Sequence, residues 1–331
     1  MRKLSCVSLL LSIAIKVSAA QYPGLYQADQ TTPPPTLLGY LPSYREVPEQ
    51  LPERLTHLIY AFAIPNDDGN LEPIENPEHL RALRALCDRH NVKLGLLVGG
   101  WMAGDDSAFE ILSASEATRR TFVGEIQTLI NHFDLDGIEL DWEYPDENRS
   151  ELYFSQLVAA LAAELHQREK FLGLSLPALG NHAAAYRLSA LERADYYTLM
   201  AYDSGRSEHS SLAFAEESIR YWNQRLLPLD RALLGIPAYS RPSAKSFDTL
   251  VAENWQNAYR DSQGDESWNS IPTVRKKVRL AARFGMGAAI WEIGQDTQGA
   301  NSLTAAAAET LSVPPAATEP PASQSDLLTT P

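Results

Sequence analysis

Between Asp136 and Tyr144 the chain reads Asp136-Gly137-Ile138-Glu139-Leu140-Asp141-Trp142-Glu143-Tyr144, with an acid at every second position from Glu139 to Glu143. In an extended strand that spacing turns Glu139, Asp141 and Glu143 to one face and Ile138, Leu140 and Trp142 to the other. Carboxyl groups crowded in this way raise one another's pKa, which is how an acid stays protonated near neutral pH and can donate a proton. The blander alternative is a solvated edge strand with a charged outer face. It fits less well, because apolar residues flank the run and Trp142 and Tyr144 bracket Glu143. A covered strand bearing catalytic acids is expected.

Acids on one strand need a frame that holds partners opposite them, and the rest of the chain supplies a regular one. Short apolar, β-rich runs occur at 37–41, 57–64, 93–99, 137–144, 171–178, 196–202, 232–239 and 287–293. Helical patterns lie between them at 78–90, 107–131, 149–169, 184–193, 213–225 and 273–284, with a final Ala-rich helix at 302–311. Between the first two runs, 49–54 leaves room for only a short helix. Eight strands alternating with helices make an α/β protein, predicted as a closed (β/α)8 TIM barrel. A doubly wound open sheet is the alternative, but no Gly-rich phosphate loop opens the first helix.

Barrels of this kind carry their chemistry at the C-terminal ends of the strands. There the chain places Gly99-Gly100-Trp101, the acids with Tyr144, Met200-Ala201-Tyr202-Asp203, Tyr239-Ser240-Arg241 and Trp291. A single strand-end Tyr or Trp is more often core packing. Aromatics and acids at five strand ends together suit a sugar: stacking on its C–H faces, hydrogen bonds to hydroxyls, and a proton donor for the glycosidic oxygen.

Composition narrows the partners. The net charge is −14, which disfavours nucleic acid and anionic membrane but would not repel a neutral polysaccharide. Met1-Arg2-Lys3, an apolar run and Val17-Ser18-Ala19-Ala20 read as a secretory signal peptide over 1–20, hence a secreted protein, extracellular or periplasmic. Residues 21–36 read as a Pro-rich linker, 37–312 as the catalytic barrel, and 313–331 as a disordered Pro/Ala/Thr-rich tail. Cys6 leaves with the leader, so Cys87 has no disulfide partner and is expected buried in its amphipathic helix. The seven His residues are scattered without ligand spacing, so no metal or other cofactor is expected. Oligomeric state is not legible.

The acidic run resembles the DxxDxDxE signature of glycoside hydrolase family 18, the chitinases. Lys93-Leu94-Gly95-Leu96-Leu97-Val98-Gly99-Gly100 is similar to that family's SxGG strand, Met200-Ala201-Tyr202-Asp203 to its MxYD motif, Tyr239-Ser240-Arg241 to its YxR motif, and Trp291 to its last-strand tryptophan. The likeness runs from about Leu37 to Ala300. It implies cleavage of β-1,4-linked N-acetylglucosamine polymers, chitin or its oligosaccharides, in which the substrate's own N-acetyl oxygen is the nucleophile and an oxazolinium forms. In that scheme Glu143 is the general acid and then base, Asp141 holds the acetamido N–H, Glu139 supports it, and Tyr202 bonds the acetamido oxygen. Asp203 and Arg241 contact hydroxyls or brace the acids. Trp291 floors the sugar, Trp101 stacks on the leaving-group side, and Tyr144, Met200 and Tyr239 line the substrate.

Two departures from the family pattern stand out: Glu139 replaces the signature's middle Asp, and Leu97 replaces the SxGG serine. The resemblance also implies cis peptides at Ala61–Phe62, Glu143–Tyr144 and Trp291–Glu292. An α+β domain that some members insert after the seventh strand is expected to be missing, leaving an open groove suited to internal cutting. Two rivals remain: an endo-β-N-acetylglucosaminidase acting on N-glycans, and a non-catalytic lectin-like relative that binds chitin-like sugars.

Overall fold

In the chain's computed structural model, residues 36–101, 105–146 and 150–313 are described. The leader 1–20, nearly all of the linker 21–36 and of the tail 313–331 lie outside these residues. Strands β1 (Leu37–Pro42), β2 (His57–Ala63), β3 (Lys93–Gly100), β4 (Gly137–Trp142), β5 (Phe171–Pro177), β6 (Tyr196–Met200) and β7 (Ala232–Pro237) pair in parallel. A short antiparallel hairpin, β8 (Ser262–Gln263) and β9 (Glu266–Ser267), precedes the last barrel strand, β10 (Gly287–Trp291). β10 pairs with both β7 and β1 and closes the barrel.

Around it run α1 (Pro77–His90), α2 (Ser107–Ala114), α3 (Glu116–Phe133), α4 (Glu151–Gln167), α5 (Leu188–Leu191), α6 (Leu212–Gln224), α7 (Phe247–Glu253), α8 (Ile271–Ala282) and α9 (Leu303–Leu311). The expected TIM barrel is the observed fold. Among the described residues no helix is long and apolar enough to cross a membrane.

Several boundaries differ from the sequence expectation. The helix expected over 107–131 is two, because Ser115 adopts an extended conformation and its hydroxyl accepts the N–H of Ala117, capping α3. Residues 49–54, preceded by Pro48 and interrupted by Pro52, make bends and turns and no helix. The pattern at 184–193 yields only the single-turn α5. The loop after β7 holds α7 and the small hairpin before α8, and no separate α+β domain.

The barrel interior is filled by inward residues of alternate strand positions, as parallel barrels require. Leu38, Tyr40, Ile59, Ala61, Leu97, Phe171, Tyr196, Leu233 and Ala289 form this inner cluster. The larger core lies between strands and helices and takes the opposite faces, including Ile138, Leu140 and Trp142 of β4. Burying side chains of that size is worth roughly 1.5–3 kcal/mol each, enough to pin the strand so that Glu139 and Asp141 must face inward. Trp142 stacks on Phe109 at 5.2 Å and donates its indole N–H to Asp106 at 2.9 Å. Cys87 is buried and free, its thiol pushed up to about 12 by burial.

Candidate active site

β4 carries Glu139 and Asp141 into the barrel mouth, and Glu143 stands one residue beyond the strand's end. Glu139 is wholly buried. Its Oε1 accepts the Tyr40 hydroxyl at 2.7 Å and the Ser175 hydroxyl at 2.7 Å, and its Oε2 accepts the Tyr196 hydroxyl at 2.9 Å. Thr198 lies 2.8 Å from the Tyr40 oxygen and completes the cradle. Burial pushes the Glu139 carboxyl upward, and these hydroxyls offset part of that.

Asp141 is 5% exposed and its Oδ1 has no hydrogen-bond partner among the described residues. Burial, then the neighbouring Glu143 and Glu139 charges, hold its carboxyl well above the ordinary range. Burial also raises Glu143, with Asp203 adding to it and the Tyr144 hydroxyl opposing.

Across the mouth, Asp203 forms the second centre. Its backbone is left-handed, with φ 52. Arg241 grips both its oxygens, Nε to Oδ1 at 2.8 Å and Nη2 to Oδ2 at 2.6 Å. Tyr239 donates to Oδ2 at 2.9 Å, and His209 Nδ1 lies 3.1 Å from Oδ1. Burial alone would raise this carboxyl. The bonds from Arg241, His209 and Tyr239 outweigh it and hold Asp203 below the usual carboxylate range. Opposite signs of shift on two neighbouring acids are the pattern of a site in which one carboxyl keeps its proton and another keeps its charge.

The remaining rim residues fall around these acids. Tyr202 is half-buried and senses Asp141, Glu143 and Asp203, its phenol raised first by burial. Its ring lies edge-on to Tyr239 at 6.5 Å, in space left by Gly235, where a Cβ would stand 2.9 Å from it. Met200 is buried at the end of β6, and Tyr144 is half-buried with its ring 4.6 Å from His182. Trp291 is half-buried at the end of β10, tilted against Tyr40 at 5.2 Å and Phe62 at 5.9 Å. Trp101, 61% exposed, stands at the rim just past β3. The peptides Ala61–Phe62, Glu143–Tyr144 and Trp291–Glu292 are cis, as is Arg241–Pro242.

Gly99 and Gly100 have φ of 102 and 105, and a Cβ on Gly99 would meet the Asp141 carbonyl at 2.3 Å. Only glycine lets β3 press this close to the acid strand.

Leu97 sits in the inner apolar cluster and offers no hydroxyl. The donors that Glu139 uses come instead from β1, β5 and β6. Sequence reasoning did not single out Tyr40, Ser175, Tyr196 or Thr198. The available signal was a hydroxyl at inward positions of otherwise apolar strands. Register aligns Glu139 with Gly173 and Ser175 with Thr198. Glu292 was also missed: it is 1% exposed, and Arg45 places Nε and Nη2 each 2.7 Å from its Oε1.

An eight-stranded parallel barrel with stepped carboxylates at its C-terminal mouth defines the class: a (β/α)8 protein with its functional cluster where barrel enzymes keep theirs. Within that class the chain belongs to the glycosyl hydrolases family 18, whose family model matches residues 26–296. It is 29% identical over 243 residues to an endochitinase of Manduca sexta, covering 62% of this chain and 43% of that protein. It is 27% identical over 224 residues to chitotriosidase-1 of Mus musculus, covering 57% of this chain and 48% of that protein. The chain thus spans less than half the length of either relative. Among solved structures, chitinase ChiB from the chitin utilization locus of Flavobacterium johnsoniae superposes with a TM-score of 0.73 at 26% identity, covering 84% of this chain and 94% of that one.

Proposed function

We propose that the chain hydrolyses β-1,4-linked N-acetylglucosamine chains, chitin or its oligosaccharides, by substrate-assisted retention. The observation that carries this reading is Asp141 Oδ1, a buried acceptor without a partner beside an acid of raised pKa. An unsatisfied buried polar atom costs about 1–3 kcal/mol, a cost that a substrate N–H delivered to that spot would remove. An acetamido group provides such an N–H, and its carbonyl oxygen can then close on the anomeric carbon.

In this scheme Glu143, whose carboxyl burial raises, gives its proton to the leaving oxygen and later takes one from water. Asp141 accepts the acetamido N–H and stabilises the charge that develops there. Tyr202 donates to the acetamido oxygen, aligning it for attack. The Glu139 charge raises the Asp141 carboxyl beside it. Asp203, Arg241, Tyr239, Tyr144 and Met200 shape the pocket for sugar hydroxyls. Trp291 supplies the floor, and Trp101 a stacking face for the departing sugar. The connection between β7 and α8, carrying no inserted domain, leaves the groove open, which favours internal cleavage. The leader over 1–20 would direct the protein out of the cytoplasm.

The deciding experiment follows products of chitotetraose and of a high-mannose glycoprotein by mass, and the anomer of fresh product by NMR. Cleavage of chitotetraose with the β-anomer retained is expected. Release of high-mannose glycan with chitotetraose untouched would assign the endo-β-N-acetylglucosaminidase reading, and inversion would sink the substrate-assisted route. Glu143→Gln should lower kcat by about 10²–10⁴-fold with the unfolding midpoint unchanged. If the variant turns over as fast as the parent, Glu143 is not the proton donor.

A further inference from the structure

We propose that Lys277, buried on α8, is a positioning residue for the Ala201–Asp203 wall of the site, acting through Ser210 and Asn269. The functional consequence rests on the reading above; the structural one does not.

Lys277 is wholly buried on a helix that packs against β7 and β10. Among the described residues its bonds go to no carboxylate. Its three donors go to the Ser210 carbonyl at 2.6 Å, the Ser210 Oγ at 2.7 Å and the Asn269 Oδ1 at 2.7 Å. An ammonium has no more donors than these. Asn269 turns its amide to the same Ser210 carbonyl at 2.7 Å. Asn269 itself is fixed at the start of α8: Ser270 caps the helix, and Asp261 takes the Ser270 N–H and the Thr273 hydroxyl. These bonds converge on one serine.

Ser210 passes the constraint inward. Because its Oγ accepts from Lys277, its own proton is free to go to the Ala201 carbonyl, 2.7 Å away. Ala201 is the residue between Met200, where β6 ends, and Tyr202. At this point the backbone leaves the ladder, and the Ser210 bond replaces a strand partner for that carbonyl. The residue before Ser210 completes the connection. His209 Nδ1 faces Asp203, its carbonyl accepts the Ser204 N–H at 3.1 Å, and its N–H reaches Ser267 Oγ at 3.3 Å. Ser267 in turn exchanges two backbone bonds with Arg241, at 2.9 and 2.8 Å. Tyr202, Asp203 and Arg241 are therefore all one or two bonds from the segment that Lys277 clamps.

A methionine would fill the same volume without desolvating a charge, so volume alone does not account for a lysine here. Burial lowers the lysine to about 7, with Asp261 acting in the opposite direction. The amine form still keeps two donors for Ser210.

Lys277→Met and Ser210→Ala test the proposal, the second deleting the bridge to Ala201 and one of the three Lys277 bonds while leaving the Ser210 carbonyl in place. With chitotetraose, well below the unfolding midpoint, kcat should fall by about 10–100-fold in both while KM stays within about two-fold, because Tyr202 loses its alignment for the transition state and not its access to substrate. A role in stability alone would lower the unfolding midpoint and leave kcat in place, and that result overturns the proposal. A crystal structure of Lys277→Met provides a readout independent of any substrate. Displacement of Ser210 with loss of its bond to Ala201 is expected; an unchanged Ser210–Ala201–Asp203 geometry overturns the proposal. If Lys277→Met does not fold, Ser210→Ala decides by the same kinetics and the same structural comparison. A parent inactive on chitotetraose overturns the proposed function, and the crystal structure still decides this inference.

Discussion

Three acids that look equivalent along a strand have unequal surroundings. Glu139 is wrapped in hydroxyls, Asp141 has an oxygen with no partner among the described residues, and Glu143 lies past the ladder next to Tyr144. Glu139 is among the charges that raise Asp141, so Glu139→Gln should displace the limb of kcat/KM that reports Asp141 toward lower pH. The measurement is a pH–rate profile on a chitin oligomer, and an unmoved limb would mean that Glu139 exerts no field on its neighbours. Asp203 has the opposite character. Its folded pKa is depressed, so its contribution to stability is present above its unfolded value, about 4, and is lost as pH falls through the folded one. In Asp203→Asn the loss of stability below about pH 4 should be shallower than in the parent, read as unfolding midpoint against pH from 2 to 5. The same variant releases Arg241 and should weaken catalysis.

At the scale of elements, the glycines separate positional constraint from propensity. Gly99, next to last in β3, has φ 102 against the Asp141 carbonyl, whereas Gly124 lies inside α3 with nothing within 4 Å of where a Cβ would stand. Gly99→Ala must take on both a forbidden backbone region and a clash, at about 1–2 kcal/mol for the backbone alone. Gly124→Ala should instead stabilise by about 0.5–1 kcal/mol, since it removes only unfolded-state freedom. At about 2–4 °C per kcal/mol for a chain of this size, calorimetry should move the two midpoints in opposite directions. Activity should fall only in Gly99→Ala. Equal shifts of one sign would show that β3 does not need its close approach to β4.

At the scale of the molecule, buried charge sets the response to pH. Glu139, Asp141, Glu143, Glu292 and Asp296 are each raised, first by burial. An acid with a raised folded pKa favours the folded state below its unfolded value, and that advantage is lost as pH climbs through the folded one. His57, lowered to about 4 by burial and Lys93, acts in the opposite sense between about 4 and 6.5. Lys277, lowered to about 7, does so between about 7 and its unfolded 10.5. Five acids against one histidine should make the unfolding midpoint fall as pH climbs above their unfolded values, about 4, and Glu139→Gln should flatten that fall. A midpoint that rises steadily over that range would contradict the assignment of these carboxyls as raised.

Local order dictates what was legible from residues alone. Short apolar runs alternating with amphipathic patterns specify parallel strands covered on both faces, and eight of them without a Gly-rich phosphate loop favour the closed barrel over an open doubly wound sheet. The strand period of two sets the inward direction of Glu139 and Asp141, and motif spacing puts Tyr202, Asp203, Tyr239, Arg241 and Trp291 at strand ends. What the chain order could not show is contact between strands far apart in sequence. Tyr40 reaches Glu139 across 99 positions and Lys277 reaches Ser210 across 67. A hydroxyl or a lysine in an apolar stretch reads as an exception until closure of the barrel brings it to its partner. Tertiary structure alone decided which acid is cradled, which oxygen waits for a donor, and which strand supplies the hydroxyl that Leu97 does not, because hydrogen bonds depend on distance in space and not on position along the chain.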